Sequence, residues 1–471
     1  MRLTRKQLLA GAGASALGAA GIYELVDRLT GAAAPRPGGV LRPEQHLLDG
    51  LHVIEDDGVE VVVIPLHHQV VTARLRVAET RRALAEAHTT LERALRTLER
   101  RFEPTPAGLG VTVAWGLPYF RRYVPKLAAA HLPIDRRASA AKGREVRVLI
   151  DAIRFPSDPD KTVLEENDVA VLLRSDDRDH VAEGARALFE PLGSLFELTS
   201  IRKGFVGGGF SGRRSLPKRM AMAAGVPGAE LIPETSQLFL GFTSTQRAGL
   251  GPTRIANIET LGFAATPVGY FRQGTHMHLS HVFEDLEAWY VDFDHAERVA
   301  TTFRPRGLEV RPDQLTVRQD PEDVVGAAEN ERDFRELGAI GHSAAIMPSS
   351  RLLEDVRGTD GTLYPKGTAI PQRADFNTLD NPFFWTSEPD LDRFEETPRA
   401  GLHFVTFNPT SDDFHRNRLA MDGVLPDGTT LRFEARARGQ GLNSVLRTTH
   451  RQNFLVPPRR HRSFPLAELL A

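Results

Sequence analysis

His342 stands in the run Leu337-Gly-Ala-Ile-Gly-His-Ser-Ala-Ala-Ile346, and Arg373 and Asp375 follow in Ile370-Pro-Gln-Arg-Ala-Asp-Phe-Asn377. The three side chains suit one chemistry. An imidazole can ligate iron, a guanidinium can hold fixed positive charge beside a bound oxidant, and a carboxyl can move protons. Together they outline a haem site that handles peroxide. The rival set is His276, His278 and His281. On a strand His276 and His278 share a face opposite Met277 and Leu279, where alternate imidazoles can bind a transition metal, while His281 points to the other face. The pair reads as a polar sheet face, with a non-haem metal site built on His276 and His278 as the alternative. The basic residues His450, Arg451 and Arg459-Arg-His-Arg462 read as a solvated edge near the C-terminus, with pairing to haem propionates as the alternative.

Composition narrows the rest. The chain has no cysteine among 471 residues, which excludes disulfides, thiolate metal sites and a cysteine nucleophile and leaves histidine and carboxylates as ligands. Lys and Arg number 59 against 61 Asp and Glu, so no whole-chain field points to nucleic acid. A 41% hydrophobic and 25% charged make-up is that of a globular protein with a sizeable core, and the length allows about three domains, although two large ones fit as well. Arg2, Arg5 and Lys6 precede an uncharged stretch from residue 8 to residue 23, and Leu3-Thr-Arg-Lys-Gln-Leu-Leu9 is similar to a twin-arginine export signal with Lys6 in place of the second arginine. This predicts an exported, extracellular or envelope-associated protein, with an uncleaved membrane anchor as the alternative. Ala32-Ala-Ala34 offers a cleavage site that the following Pro35 hinders.

Elements must hold these residues in place. Residues 61–64 and the alternation of Val71, Ala73, Leu75 and Val77 predict two opening strands. Leu84, Leu91, Leu95 and Leu98 recur at helical spacing over residues 79–102. Further strands are expected at 111–115, 168–173, 195–201 and 238–242, with a helix ending at Phe189. Gly207-Gly-Gly-Phe-Ser-Gly212 reads as a loop, without the strand and helix context of a phosphate cradle. In the second half, strands are expected at 275–283, 402–407 and 454–456 and helices at 285–300 and 412–421, while residues 343–400 show no clear periodicity. Strands and helices interleave at short range, which predicts an α+β fold with mostly antiparallel pairing, with a parallel α/β sheet as the alternative. The segments divide into a leader and linker (1–40) and two domains (41–250 and 251–471).

Gly274-Thr-His-Met-His-Leu-Ser-His-Val-Phe-Glu-Asp-Leu-Glu-Ala-Trp289 resembles the strand and helix start of the dye-decolourising (DyP-type) haem peroxidases, and Gly401-Leu-His-Phe-Val-Thr-Phe407 resembles their late Gly-Leu-x-Phe strand. The resemblance covers roughly residues 55–465. It implies two ferredoxin-like domains with four-stranded antiparallel sheets, of the dimeric α+β barrel superfamily, and haem b held mainly by the second. It also implies His342 as the proximal iron ligand, Arg373 as the distal arginine, and hydrogen peroxide with a small-molecule reductant as substrates. A homo-oligomer is compatible with it. The family's distal Gly-x-x-Asp-Gly signature falls on Gly241-Phe-Thr-Ser-Thr245, so Ser244 occupies the place of the aspartate. Asp375 is the expected substitute acid. The alternative the missing acid suggests is a haem or porphyrin carrier that keeps the fold without peroxidase activity.

Overall fold

Period-two alternation in the first half places Val71, Ala73 and Leu75 on one face of a strand and Val70 and Thr72 on the other, and both faces are buried. A computed structural model describes residues 40–207, 214–264, 269–312, 314–380, 398–434 and 436–470, together with Tyr23 and Val26. Its first half holds β1 (His67–Leu75), β2 (Gly110–Gly116), β3 (Val169–Ser175) and β4 (Phe196–Phe205), ordered β2-β3-β1-β4 and antiparallel throughout. The second half repeats the plan with β5 (Thr275–Glu284), β6 (Phe376–Thr378), β7 (Gly401–Asn408) and β8 (Leu446–Val456), ordered β6-β7-β5-β8. β2 pairs with β8 through Trp115 and Leu455, and β4 with β6 through Phe205 and Asn377. The two sheets therefore close into one eight-stranded barrel, the α+β, antiparallel architecture that was expected.

Met277, Leu279, Phe376, Val405 and Phe454 fill the barrel interior, with His68 stacked on Phe376 at 4.9 Å. Two helices cover the outer face of the first sheet, α1 (Arg81–Arg101), capped by the Thr80 hydroxyl accepting from the Ala83 amide, and α2 (Arg178–Phe189). Leu84, Leu91, Leu95 and Leu98 of α1 are buried there. Each is worth about 1.5–3 kcal/mol in area removed from water. In the second half the covering helices are α3 (His342–Ser350) and α4 (Ser411–Ala420).

Several elements differ from the sequence reading. Residues 238–242 form a turn rather than a strand, with Gly241 at φ +98° and its amide donating to the Leu238 carbonyl. The run is apolar because Phe239 packs into a core, not because it pairs in a sheet. The helix expected at 285–300 is broken: a π-turn at Ala288–Asp292 ends at Phe293, and Asp294 with Glu297 forms a capping box that starts a new helix, His295–Thr302. α3 lies in the stretch read as aperiodic, and β8 runs over 11 residues where three were expected, because Thr449, Arg451, Gln452 and Asn453 are polar yet buried. Arg451 and Arg462 are likewise interior rather than solvated, Arg451 paired with Asp158 at 2.7 Å and Arg462 with Glu92 and Glu99.

Among the described residues no helix is long and apolar enough to cross a membrane. The glycine-rich loop beyond Gly207 and most of the leader lie outside the described residues. Tyr23 and Val26 are within them and join a core with Phe205, Met220 and Phe239. The Tyr23 hydroxyl donates to Asp380 Oδ1 at 2.9 Å and accepts from the Leu379 amide at 3.1 Å.

Candidate active-site cavity

Gly341 sets the start of α3. A Cβ at this position would meet the Phe303 carbonyl oxygen at 2.3 Å, so only glycine lets the chain come close enough for the Ala344 amide to donate to that carbonyl at 3.0 Å. The approach fixes His342 as the first residue of the helix. His342, Ser343, Ile346, Met347 and Ser350 turn one face of α3 toward a cavity of about 270 Å³, and Phe414, Asn417 and Arg418 of α4 line it from beside them.

The sheet supplies the opposite wall by alternation. Ser280, Val282 and Glu284 of β5 and Leu402, Phe404 and Thr406 of β7 all face the cavity. The two-residue strand Gln372–Arg373 pairs antiparallel with β7, Arg373 opposite Thr406, so Arg373 and Asp375, two residues apart, point the same way. Ser244 enters from the turn that follows Phe242. His342, Arg373, Asp375 and Ser244, chosen from sequence, thus share one cavity. His276 and His278 do not line it: they are buried elsewhere on β5, and His278 stacks on Phe414 with its Nδ1 against Asn453 Oδ1 at 2.8 Å. Among the described residues no group of three or more His, Cys, Asp or Glu is placed to hold a metal ion.

Burial governs the electrostatics. Loss of solvent, reinforced by the nearby Arg373 and Arg418, lowers the His342 imidazole to about 4, so the ring is neutral through the physiological range. Its Nδ1 is sealed without a partner, which leaves Nε2 for a ligand. Neutral imidazole is the ligating form. Burial raises the Asp375 carboxyl, against the lowering pull of Arg373. Glu284 is pushed up to about 8 by burial and then by Asp375. Arg418 is neutralised by Asp422 at 2.8 Å and Asp158 at 3.2 Å. Arg351 brings a second guanidinium to the Arg373 side, donating to the Gly367 carbonyl at 2.9 Å.

Sequence reasoning missed Glu284 and Arg351. Glu284 continues the alternation of Ser280 and Val282 and was lost by ending the strand at Phe283. For Arg351, just after a helix without an apolar stripe, no sequence signal existed.

Several solved structures and one family are similar to the chain. DtpA from Streptomyces lividans, in an oxyferrous/water mixed complex, matches at a TM-score of 0.50 with 16% identity, over 87% of this chain and 95% of that one. The DyP-type peroxidase from Cellulomonas bogoriensis matches at 0.48, with 16% identity over 89% and 96% of the two chains. The encapsulated DyP-type peroxidase from Mycobacterium smegmatis matches at 0.49, with 14% identity over 91% and 98%. At these identities the likeness is one of fold. No curated protein matches the chain. Residues 65–458 match DUF7405, and the chain belongs to this family of unknown function.

Proposed function

We propose that the cavity binds haem b with His342 as the iron ligand, and that the protein is a DyP-like peroxidase in which hydrogen peroxide oxidises a small-molecule reductant. The observation that supports this reading is the convergence of His342, Arg373, Asp375 and Ser244 on one cavity. The residues present fit the group. Apolar walls from Phe404, Leu402, Ile346 and Met347 suit a porphyrin face, the neutral imidazole suits iron, and Arg351 and Arg373 suit its carboxylates. When bound, haem supplies the redox-active iron.

The chain's own residues supply the rest. Arg373 holds permanent positive charge where negative charge develops on oxygen, and is a poor base. Asp375 Oδ1, sealed and without a partner, is free to accept a proton. Ser244 can relay a proton but cannot hold one near neutral pH. That serine, where the DyP-type pattern has an acid, favours a second reading as a haem or porphyrin carrier. The charged start at Arg2, Arg5 and Lys6 supports export of the protein.

Expression with a haem supply tests both readings. A Soret band that is lost in His342→Ala is expected, together with peroxide-dependent dye oxidation by the wild-type protein. Haem uptake without dye oxidation selects the carrier, and absence of haem uptake overturns both.

A further inference from the structure

Two carboxyls face the cavity, Glu284 from the end of β5 and Asp375 from the connection between Arg373 and β6, and each has one oxygen sealed from solvent without a hydrogen-bond partner: Glu284 Oε2 and Asp375 Oδ1. Asp375 is 7% exposed. No ion pair joins either of them to a cation among the described residues, although structural carboxylates elsewhere in this interior, Asp158 and Asp422, are held by arginines. The two lie within electrostatic reach of each other. We propose that Glu284 is the proton donor of this cavity and Asp375 its proton acceptor, dividing between two residues the work of the acid absent at Ser244.

The surroundings fit this division. Arg373, on the Asp375 side, favours the ionised form of Asp375. The groups around Glu284 give no such help. Its cross-strand partner on β8 is Leu446, the phenol of Tyr290 donates instead to the Phe239 carbonyl at 2.6 Å, and the adjacent Asp285 faces Arg447 at 3.4 Å in a more exposed position. Asp375 therefore ionises first and Glu284 keeps its proton up to about 8. Two like groups whose environments hold them apart supply an acid and a base at one pH.

The inference rests on the peroxide reading above. One proton leaves peroxide for Asp375 and one leaves Glu284 for the departing oxygen as the O–O bond breaks and the first water forms, and a transfer from Asp375 back to Glu284 restores the pair. Overall the reductant supplies two electrons and two protons, and peroxide becomes two waters.

The test begins with the protein free of haem. Infrared difference spectra are expected to show a protonated carboxyl C=O band at pH 7 that disappears on titration around pH 8, is absent in Glu284→Gln, persists in Glu284→Asp, and titrates at lower pH in Asp375→Asn because the neighbouring charge is gone. Circular dichroism confirms that each variant is folded. A missing band at pH 7, or a midpoint unmoved by Asp375→Asn, overturns the proposal. With haem bound, the alkaline limb of the peroxide rate is expected to vanish in Glu284→Gln, with a fall of at least about tenfold at pH 7; an unchanged pH profile also overturns it. If haem does not bind while the carboxyl titrates as described, the peroxidase reading fails and the paired proton site stands.

Discussion

Asp375 lines the cavity with a sealed, unpartnered carboxyl oxygen, whereas Asp168, Glu165 and Asp333, which also bury such an oxygen, are tied to arginines. Replacing it by asparagine keeps size and shape and removes the proton. Asp375→Asn is expected to retain the Soret band while slowing peroxide turnover by about 10²–10⁴-fold, as read by stopped-flow absorbance. Buried titrating groups also set how stability follows pH. His46, His68, His276, His342 and His415 are all lowered to about 3–4, chiefly by burial. A base depressed in the folded state stabilises above its unfolded value, near 6.5, and loses that contribution as pH falls through its folded value. Glu284 runs the other way: raised in the folded state, its contribution is present below about 4.5 and is lost as pH rises through about 8. Melting temperatures are expected to fall steeply between pH 6 and pH 3, and Glu284→Gln is expected to flatten only the alkaline side, by a few kcal/mol at most. That His342 and Arg373, which have distinctive chemistry and distinctive neighbours, would come to one cavity was legible in the sequence. Glu284 was not, because its role depends on which way one strand-end side chain points.

The helices show why some elements could be read and others not. α1 carries leucines at a strict helical period and must bury them, so its limits follow from the pattern to within two residues. Its Leu91→Ala variant is expected to cost about 2–5 kcal/mol in urea unfolding while leaving haem uptake unchanged, since that leucine packs on the first sheet, away from the cavity. α3 is built from Ser, Ala and Met with Pro348 inside it and has no apolar stripe. What specifies its position is tertiary: the approach of Gly341 to Phe303. Gly341→Ala is expected to destabilise by about 1–3 kcal/mol and to weaken haem retention, because the backbone must shift at the residue before His342. Unchanged retention in a folded variant would show that this close approach does not position the imidazole. The turn at residues 238–242 misled for the same reason in reverse, its apolar residues serving a core and a cavity rather than a ladder.

The two halves share one plan and differ in how the outer face of each sheet is covered. On the first, leucines from α1 fill the space; on the second, α3 and α4 leave a cavity against the sheet. The site belongs to the half whose packing is incomplete. Because β2–β8 and β4–β6 join the sheets into one ring, neither half can open without exposing ladder groups of the other. A single unfolding transition is expected, coincident by tryptophan fluorescence and far-ultraviolet circular dichroism, and two separated transitions would contradict the closed ring. Antiparallel α+β organisation was legible from alternating residues, whereas the closure was not, since Asn377 and Phe205 meet across 172 positions of chain. Tyr23 extends the same logic to the N-terminal segment. Its phenol occupies Asp380, whose carboxyl is raised to about 6. Any protease that cut near Ala34 would take with it a plug already seated in the body, so maturation of this chain would be an act of partial unfolding. Deletion of residues 1–34 or Tyr23→Ala should therefore lower the melting temperature by several degrees, and the intact mass of the protein from its own host would tell whether the plug stays in.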